Sequence, residues 1–349
     1  MAYTILHSDG FEHDAPLYRY SLAERGASVT PTTTNTNPAL SYGRALLITA
    51  DDTNYLAPYL LSNPYTTLYT AFHHRTTTNS TTEASLVSFY DDLNGGSQVT
   101  ITIQYDGSSG QILRARRGTS TGTLLATSTA NLPLSGTWAH VSVMVFVDQV
   151  IGRVKVNINS STVIDFTGNT RNTAASRIDR VRVHGRVSGQ SNVYDNWVIA
   201  TGDPTADAPL PEIRIYTQFP SSDDVTQFLV TGAISNWAAV NEVTPNDDTS
   251  YTYSSTVGQQ DTFVHTAPSI VSTVLGVRVN TNLRRDDAGS RAFVPVVKPA
   301  SSSYTPVSSQ GMYNRYWIQG YTWQTNPDTG LTWTPAEAMN AKFGYKLTG

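Results

Sequence analysis

Arg153-Val-Lys-Val-Asn-Ile-Asn159 constrains this chain more than any other stretch. Val154, Val156 and Ile158 alternate strictly with Arg153, Lys155, Asn157 and Asn159. A period of two places the apolar set on one face and the polar set on the other. Asn159-Ser160-Ser161 then reads as a hairpin turn, and Thr162-Val-Ile-Asp-Phe166 as the returning strand. Such a strand rests one side on a core and leaves the other side polar, as antiparallel sheets do. Much of the chain is written this way. The sequence therefore predicts an all-β protein.

Composition agrees. Charged residues are only 14 % of the chain, and Ser, Thr and Asn take their place. Six glutamates occur in 349 residues, too few to furnish the surfaces of many helices. A net charge of −4 offers no basic field for a phosphate backbone, so nucleic acid is not an expected partner. Arg114, Arg116 and Arg117 form the one basic cluster and read as the solvent face of a strand and its turn. There is no cysteine, which removes disulfides, thiolate metal sites and Cys nucleophiles. The first ten residues lack a basic region and an apolar run, so no signal peptide is expected. Val143–Val147 is too short to enter a bilayer as a span.

Length suggests two domains. Residues 1–203 read as about a dozen short strands at sandwich spacing, with Thr30–Pro38 as a long loop. Residues 204–211 carry three prolines and read as a linker. Residues 212–349 read as a second β-rich domain. In it, Val274–Leu283 and Arg291–Lys298 flank Asp286-Asp-Ala-Gly289, a hairpin signal. Thr334-Pro-Ala-Glu337 is a capping box that predicts a helix over 335–343, stopped by Gly344.

Candidate chemistry is sparse. Gly118-Thr-Ser-Thr-Gly122 has nucleophile-elbow spacing, but strands flank it on both sides, so Ser120 reads as a turn residue. Glu12 and Asp14 are the nearest match to a glycosidase carboxylate pair, with Leu17 where a further acid would be wanted. Five Asp-Asp pairs (51–52, 91–92, 223–224, 247–248 and 286–287) read as turn chemistry rather than calcium loops. His73 and His74 are adjacent in a strand and so point to opposite faces. No catalytic residue, cofactor or metal is assigned. The aromatic segment containing Tyr313, Tyr316, Trp317, Tyr321 and Trp323 is the candidate for glycan or subunit contact, against the simpler reading of core packing.

Several motifs, taken in order, carry a likeness. They are Asp9-Gly-Phe-Glu12, Gly43-Arg-Ala-Leu46, Gly136-Thr-Trp138, the Val154–Val163 hairpin, Asn169-Thr-Arg-Asn-Thr173 and the closing Tyr194-Asp-Asn-Trp-Val-Ile199. Through them residues 1–203 resemble the concanavalin A-like, laminin-G-like jelly roll of phage and prophage proteins. The family pattern more often has two acids after the closing Tyr; the second here is Asn196, which argues against a metal there. The second domain resembles a segment that follows this jelly roll in virion proteins of tailed phages. Thr249-Ser-Tyr251, Ser255–Gly258, Asp261-Thr-Phe263, Asp286–Arg291 and Asn326–Trp333 with its capped helix carry that likeness. The resemblance implies a structural virion component, made in the host cytoplasm, with other virion proteins as partners. Homo-oligomerisation is expected from exposed strand edges and aromatic strands, a trimer suiting a fibre. A carbohydrate-binding adhesin and, less favoured, a glycoside hydrolase are the alternatives.

Overall fold

The structure is a computed structural model. It describes residues 3–11, 29–32, 44–49, 55–57, 64–186, 190–205, 209–266 and 273–349. They fall into two compact units that meet in sequence between Ile215 and Tyr216. Both are built from antiparallel strands, and the one α-helix among the described residues lies near the C-terminus.

The first unit holds β1 (Tyr3–Asp9), β2 (Val29–Thr32), β3 (Ala45–Thr49), β4 (Tyr55–Leu56), β5 (Thr67–Thr76), β6 (Ala84–Asp91) and β7 (Gly96–Tyr105). There follow β8 (Gln111–Arg117), β9 (Thr123–Thr127), β10 (Ala139–Phe146), β11 (Gly152–Ile158), β12 (Ser161–Gly168), β13 (Arg180–His184) and β14 (Ser191–Gly202). They form the jelly-roll sandwich. The large sheet runs β12-β11-β10-β5-β14-β3-β2, with β1 also on β14, and the small sheet runs β4-β13-β6-β7-β8-β9. Between them lie apolar side chains at alternate positions, among them Leu68, Phe72, Val141, Val143 and Val156 from the large sheet and Phe89, Ile101 and Leu113 from the small, all buried.

The alternation over Arg153–Ile158 folds as its pattern predicts. Ile158 pairs with Ser161 across a two-residue turn in which Asn159 and Ser160 both have positive φ, 45° and 70°. Two left-handed residues match the twist of the flanking strands. Polar ties also join the sheets. The Tyr194 hydroxyl lies 3.0 Å from the Leu86 carbonyl and 2.7 Å from that of His184. Arg186, buried completely, donates to Gln111 Oε1 at 2.5 Å and to the Ser80 carbonyl at 3.2 Å.

Two expectations for this unit change. The segment expected as a loop from Thr30 begins instead inside β2, which pairs with β3 at the edge of the large sheet. Pro31 is tolerated because an edge strand has one side that need not donate; residues 33–43, which hold the rest of that expected loop and Gly43, lie outside the described residues. The C-terminal part of the 204–211 linker is bound. Leu210 is buried with Tyr69, Ala71, Met144, Val198 and Ala200, and Ile213 and Ile215 pack beside it. Proline only forbids regular pairing; it leaves Leu210 free to cover an apolar patch on the large sheet.

The second unit holds β15 (Pro220–Thr226), β16 (Leu229–Thr231), β17 (Tyr251–Tyr253), β18 (Gln260–His265), β19 (Val277–Leu283), β20 (Ala292–Lys298), β21 (Gln310–Gly311), β22 (Trp317–Trp323), α1 (Pro335–Asn340) and β23 (Lys342–Leu347). A five-stranded sheet runs β15-β18-β23-β20-β21, and β16-β17 and β19-β22 are separate two-stranded ribbons. Val297, Trp323, Trp333, Ala338, Ala341 and Phe343 form a core cluster.

The helix forms with its capping box complete: Thr334 accepts from the Glu337 amide while the Glu337 carboxylate accepts from Thr334 N. It ends at Asn340 rather than 343, because Lys342–Leu347 is needed as the central strand β23. Gly344 is therefore no helix stop. It sits opposite Thr262, where a Cβ would lie 1.8 Å from the Asp261 carbonyl oxygen. The hairpin expected around Asp286–Gly289 does not form either. β19 pairs with β22 and β20 with β23 and β21, so the turn residues connect two different sheets. Long-range pairing overrides a local turn signal when both flanking strands find better partners.

Candidate functional site

The aromatic segment Tyr313–Trp323 lies on and before β22. Alternation puts Trp317, Gln319, Tyr321 and Trp323 on one face, opposite Leu283, Thr281, Val279 and Val277 of β19. The structure divides the five candidates. Trp323 is 7 % exposed and belongs to the core, its carbonyl accepting from Trp333 Nε1 at 3.1 Å. Tyr316 is held by Asp248, whose Oδ1 accepts from its hydroxyl at 2.8 Å, with the Arg284 guanidinium 5.2 Å from its ring centre. Partial burial and then Asp248 push the Tyr316 phenol up to about 12. Both are engaged within the unit.

Tyr313 and Tyr321 remain, 50 % and 39 % exposed, with half-buried Trp317. The Tyr313 and Trp317 rings are 5.4 Å apart, tilted by 51°, and Arg315 lies 4.7 Å from the Trp317 ring centre. Tyr321 meets Trp323 edge-on at 4.8 Å. Aromatic faces flanked by Arg and Gln suit stacking against a sugar ring or an apolar partner.

Ser120 lies in the β8–β9 turn, between two strands as expected. Glu12, Asp14 and Leu17 lie outside the described residues, as do Asp51 and Asp52. The remaining Asp pairs hold cations and backbone. Asp92 meets Arg180 at 2.5 Å and Arg182 at 3.1 Å, and Arg182 lies over the Tyr90 ring at 3.5 Å. Asp224 meets Lys298 and Lys342; burial pushes its carboxyl up, but the two ammonium groups and Thr262 together hold it at about 2. Asp248 pairs with Arg284 and Asp287 with Arg291. Arg116, from the basic cluster, makes a fork with Glu83 at 2.6 and 2.8 Å on the outer face of the small sheet. No group of three His, Asp or Glu able to hold a metal occurs among the described residues.

His73 and His74 do point apart. His74 faces the sandwich interior, its Nε2 3.1 Å from Asn192 Oδ1, and burial lowers it to about 3. His73 faces outward, with Nε2 3.2 Å from a carboxylate oxygen of Glu212 and its ring 5.3 Å from that of His140. Burial lowers both, His140 to about 4. Sequence reasoning missed this association because His73 and His140 lie on strands far apart in sequence. Only the β5–β10 register brings them level. Asp195, level with His73 on β14, is buried and pushed up to about 7, first by that burial. Asn196 has a positive φ of 50° at a bulge, and its Oδ1 accepts from the Ile215 amide at 2.5 Å. Asn adopts that conformation more readily than most residues, and its side chain here ties down the segment that covers the sheet.

No family model and no curated protein matches this sequence. Solved structures are similar in architecture. An endo-β-1,4-glucuronan lyase from Trichoderma reesei is 14% identical, with TM-score 0.41, over 59% of this chain and 98% of that one. A carbohydrate esterase from the Shiga toxin-encoding bacteriophage phi24B is 14% identical, with TM-score 0.39, over 58% and 100%. Domain 4 of a Geobacillus stearothermophilus arabinanase, solved with arabinotriose, is 14% identical, with TM-score 0.37, over 58% and 94%. No residue role passes from them to this chain.

Proposed function

We propose that the protein is a non-enzymatic structural component of a tailed-phage particle, which self-associates through its second unit. The observation that carries this reading is the construction of that unit. Among the described residues, β19 pairs only with β22 and β16 only with β17. A two-stranded ribbon is marginal alone, and open strand edges present unpaired backbone groups to another chain. The occupant of those edges is a second copy, and a trimer is the closed assembly that suits a fibre. The motif likeness from Asp9 to Trp333 supports the virion setting. Light scattering on the full chain tests the association. A mass well above the 38.0 kDa of one chain is expected, and a monomer at tens of micromolar would sink the reading.

A second reading is favoured by exposed Tyr313 and Tyr321 with half-buried Trp317 between them: the ribbon also contacts a surface glycan as an adhesin would. Competable binding on a glycan array, reduced at least about tenfold by Trp317→Ala, supports it, since loss of one stacked aromatic costs roughly 1–2 kcal/mol. Silence across the array counts against it.

A further inference from the structure

Residues 209–215 belong to no strand, so no regular ladder of hydrogen bonds fixes them to the outer face of the large sheet that they cover. Three contacts hold them instead. Leu210 is buried on Tyr69, Ala71, Met144, Val198 and Ala200, with Ile213 and Ile215 packed beside it. The Ile215 amide donates to Asn196 Oδ1 at 2.5 Å. Glu212 meets His73 at 3.2 Å. Next to the apolar patch, three neighbouring strands set three titratable side chains level with one another: Asp195 of β14, His73 of β5 and His140 of β10. They are 1 %, 5 % and 3 % exposed. Both ring nitrogens of His140, Nδ1 of His73 and Oδ2 of Asp195 are buried without a hydrogen-bond partner among the described residues. The row is therefore closed while its groups are neutral and has nothing ready to receive a charge.

We propose that residues 209–215 are an acid-released strap: protons taken up at His140 and His73 lift it from the large sheet while the sandwich beneath stays folded. An imidazolium at His140 would carry two N–H donors and find no acceptor. A second one at His73 would stand with its ring centre 5.3 Å away. The surrounding charges do not relieve this. Burial above all, with Asp9 of β1 adding to it, holds the Asp195 carboxyl up at about 7, so Asp195 is neutral where the histidines become charged. Arg75, two residues along β5 on the same face, and Arg214 of the strap are themselves cations. Lys155 of β11 pairs with Asp165 of β12 at 3.5 Å, further along the sheet. Glu212 is the one acid of the strap, and it answers His73 and Arg214. Burial lowers both rings, His140 to about 4, against about 6.5 for a hydrated ring. The lifted form, with its rings hydrated, binds more protons, so acid favours it. The second unit begins at Tyr216, directly after the strap. Release moves the anchored end of that connection back by up to about 23 Å of extended chain, at ~3.3 Å per residue. The device belongs to the first unit and does not rest on self-association.

The full chain has no cysteine, so Ala200→Cys places a unique thiol beneath the strap. Its labelling by a dithiopyridine reagent, which reacts in acid, is measured from pH 7 to 4 against a small free thiol. Circular dichroism is followed on the same samples. The labelling ratio should rise roughly thirtyfold or more between pH 6.5 and 4.5 while the strand signal holds, as the shift at His140 requires. His140→Gln cannot take up the proton and should cut that rise about tenfold, and His73→Gln should reduce it further. A second measurement needs no substitution: hydrogen exchange at the Ile215 amide, corrected for its intrinsic pH dependence, should quicken over the same range while β5 and β10 stay protected. Labelling and exchange that stay flat until the strand signal itself collapses overturn the proposal. So does a rise of the same size in the folded His140→Gln and His73→Gln variants.

Discussion

Asp195 shows how one side chain sets a pH response. Its folded carboxyl titrates near 7, pushed up by burial, against a value near 4 in the unfolded chain. Stability from the protonated form is therefore present at low pH and lost as pH rises through 7. The buried histidines act in the opposite sense. His74, His140 and His265 titrate at about 3, 4 and 4 in the fold against 6.5 unfolded, so the unfolded chain binds more protons between those values. Three protons outweigh one. Stability should climb from pH 4.5 to about 7 and then level off toward pH 8. Urea unfolding across that range checks the sign, and Asp195→Asn should steepen the climb between pH 4.5 and 7, by a few kcal/mol at most. A fall in stability between pH 5 and 7 in the unsubstituted protein contradicts this assignment. His73 and His140 were legible in the sequence as strand residues, but their pairing and their low titration depend on register and cover.

At the scale of elements, local sequence succeeded where the chain's nearest neighbours decide the outcome. The β11-β12 hairpin and the Thr334 capping box needed only residues within a few positions of each other. Ser160 holds a φ of 70° without being glycine, which costs about 1 kcal/mol. Ser160→Gly should raise the unfolding free energy by roughly 0.5–1 kcal/mol, read from the urea midpoint at unchanged slope. Local reasoning failed at β19, β20 and β23, whose partners lie far off in sequence. Gly344 shows why. Its neighbour across the sheet approaches so closely that any side chain collides with Asp261 backbone. Gly344→Ala should destabilise the second unit by about 3 kcal/mol or more, seen as faster proteolysis between residues 216 and 349. Equal proteolysis rates would mean that β23 and β18 are not packed as described.

For the molecule as a whole, the boundary between the units lies later than composition suggests. Leu210, Ile213 and Ile215 cover Tyr69, Met144 and Val198, so the first unit extends to 215. A chain ended after Asp203 should expose this patch, bind a hydrophobic dye and aggregate. One ended after Ile215 should melt cooperatively, more stable by about 3 kcal/mol or more from the side chains kept buried. Similar behaviour of the two fragments would return the segment to a linker. Alternation, scarce glutamate and absent cysteine determined an all-β chain without disulfides, because strand periodicity and redox chemistry are properties of neighbouring residues and of counts. Tertiary structure alone decided which strands pair, that Trp323 is core while Tyr313 is not, and that Asp195, His73 and His140 stand level with one another. Those facts depend on register between strands distant in sequence, and no local pattern encodes how far one strand slides against another.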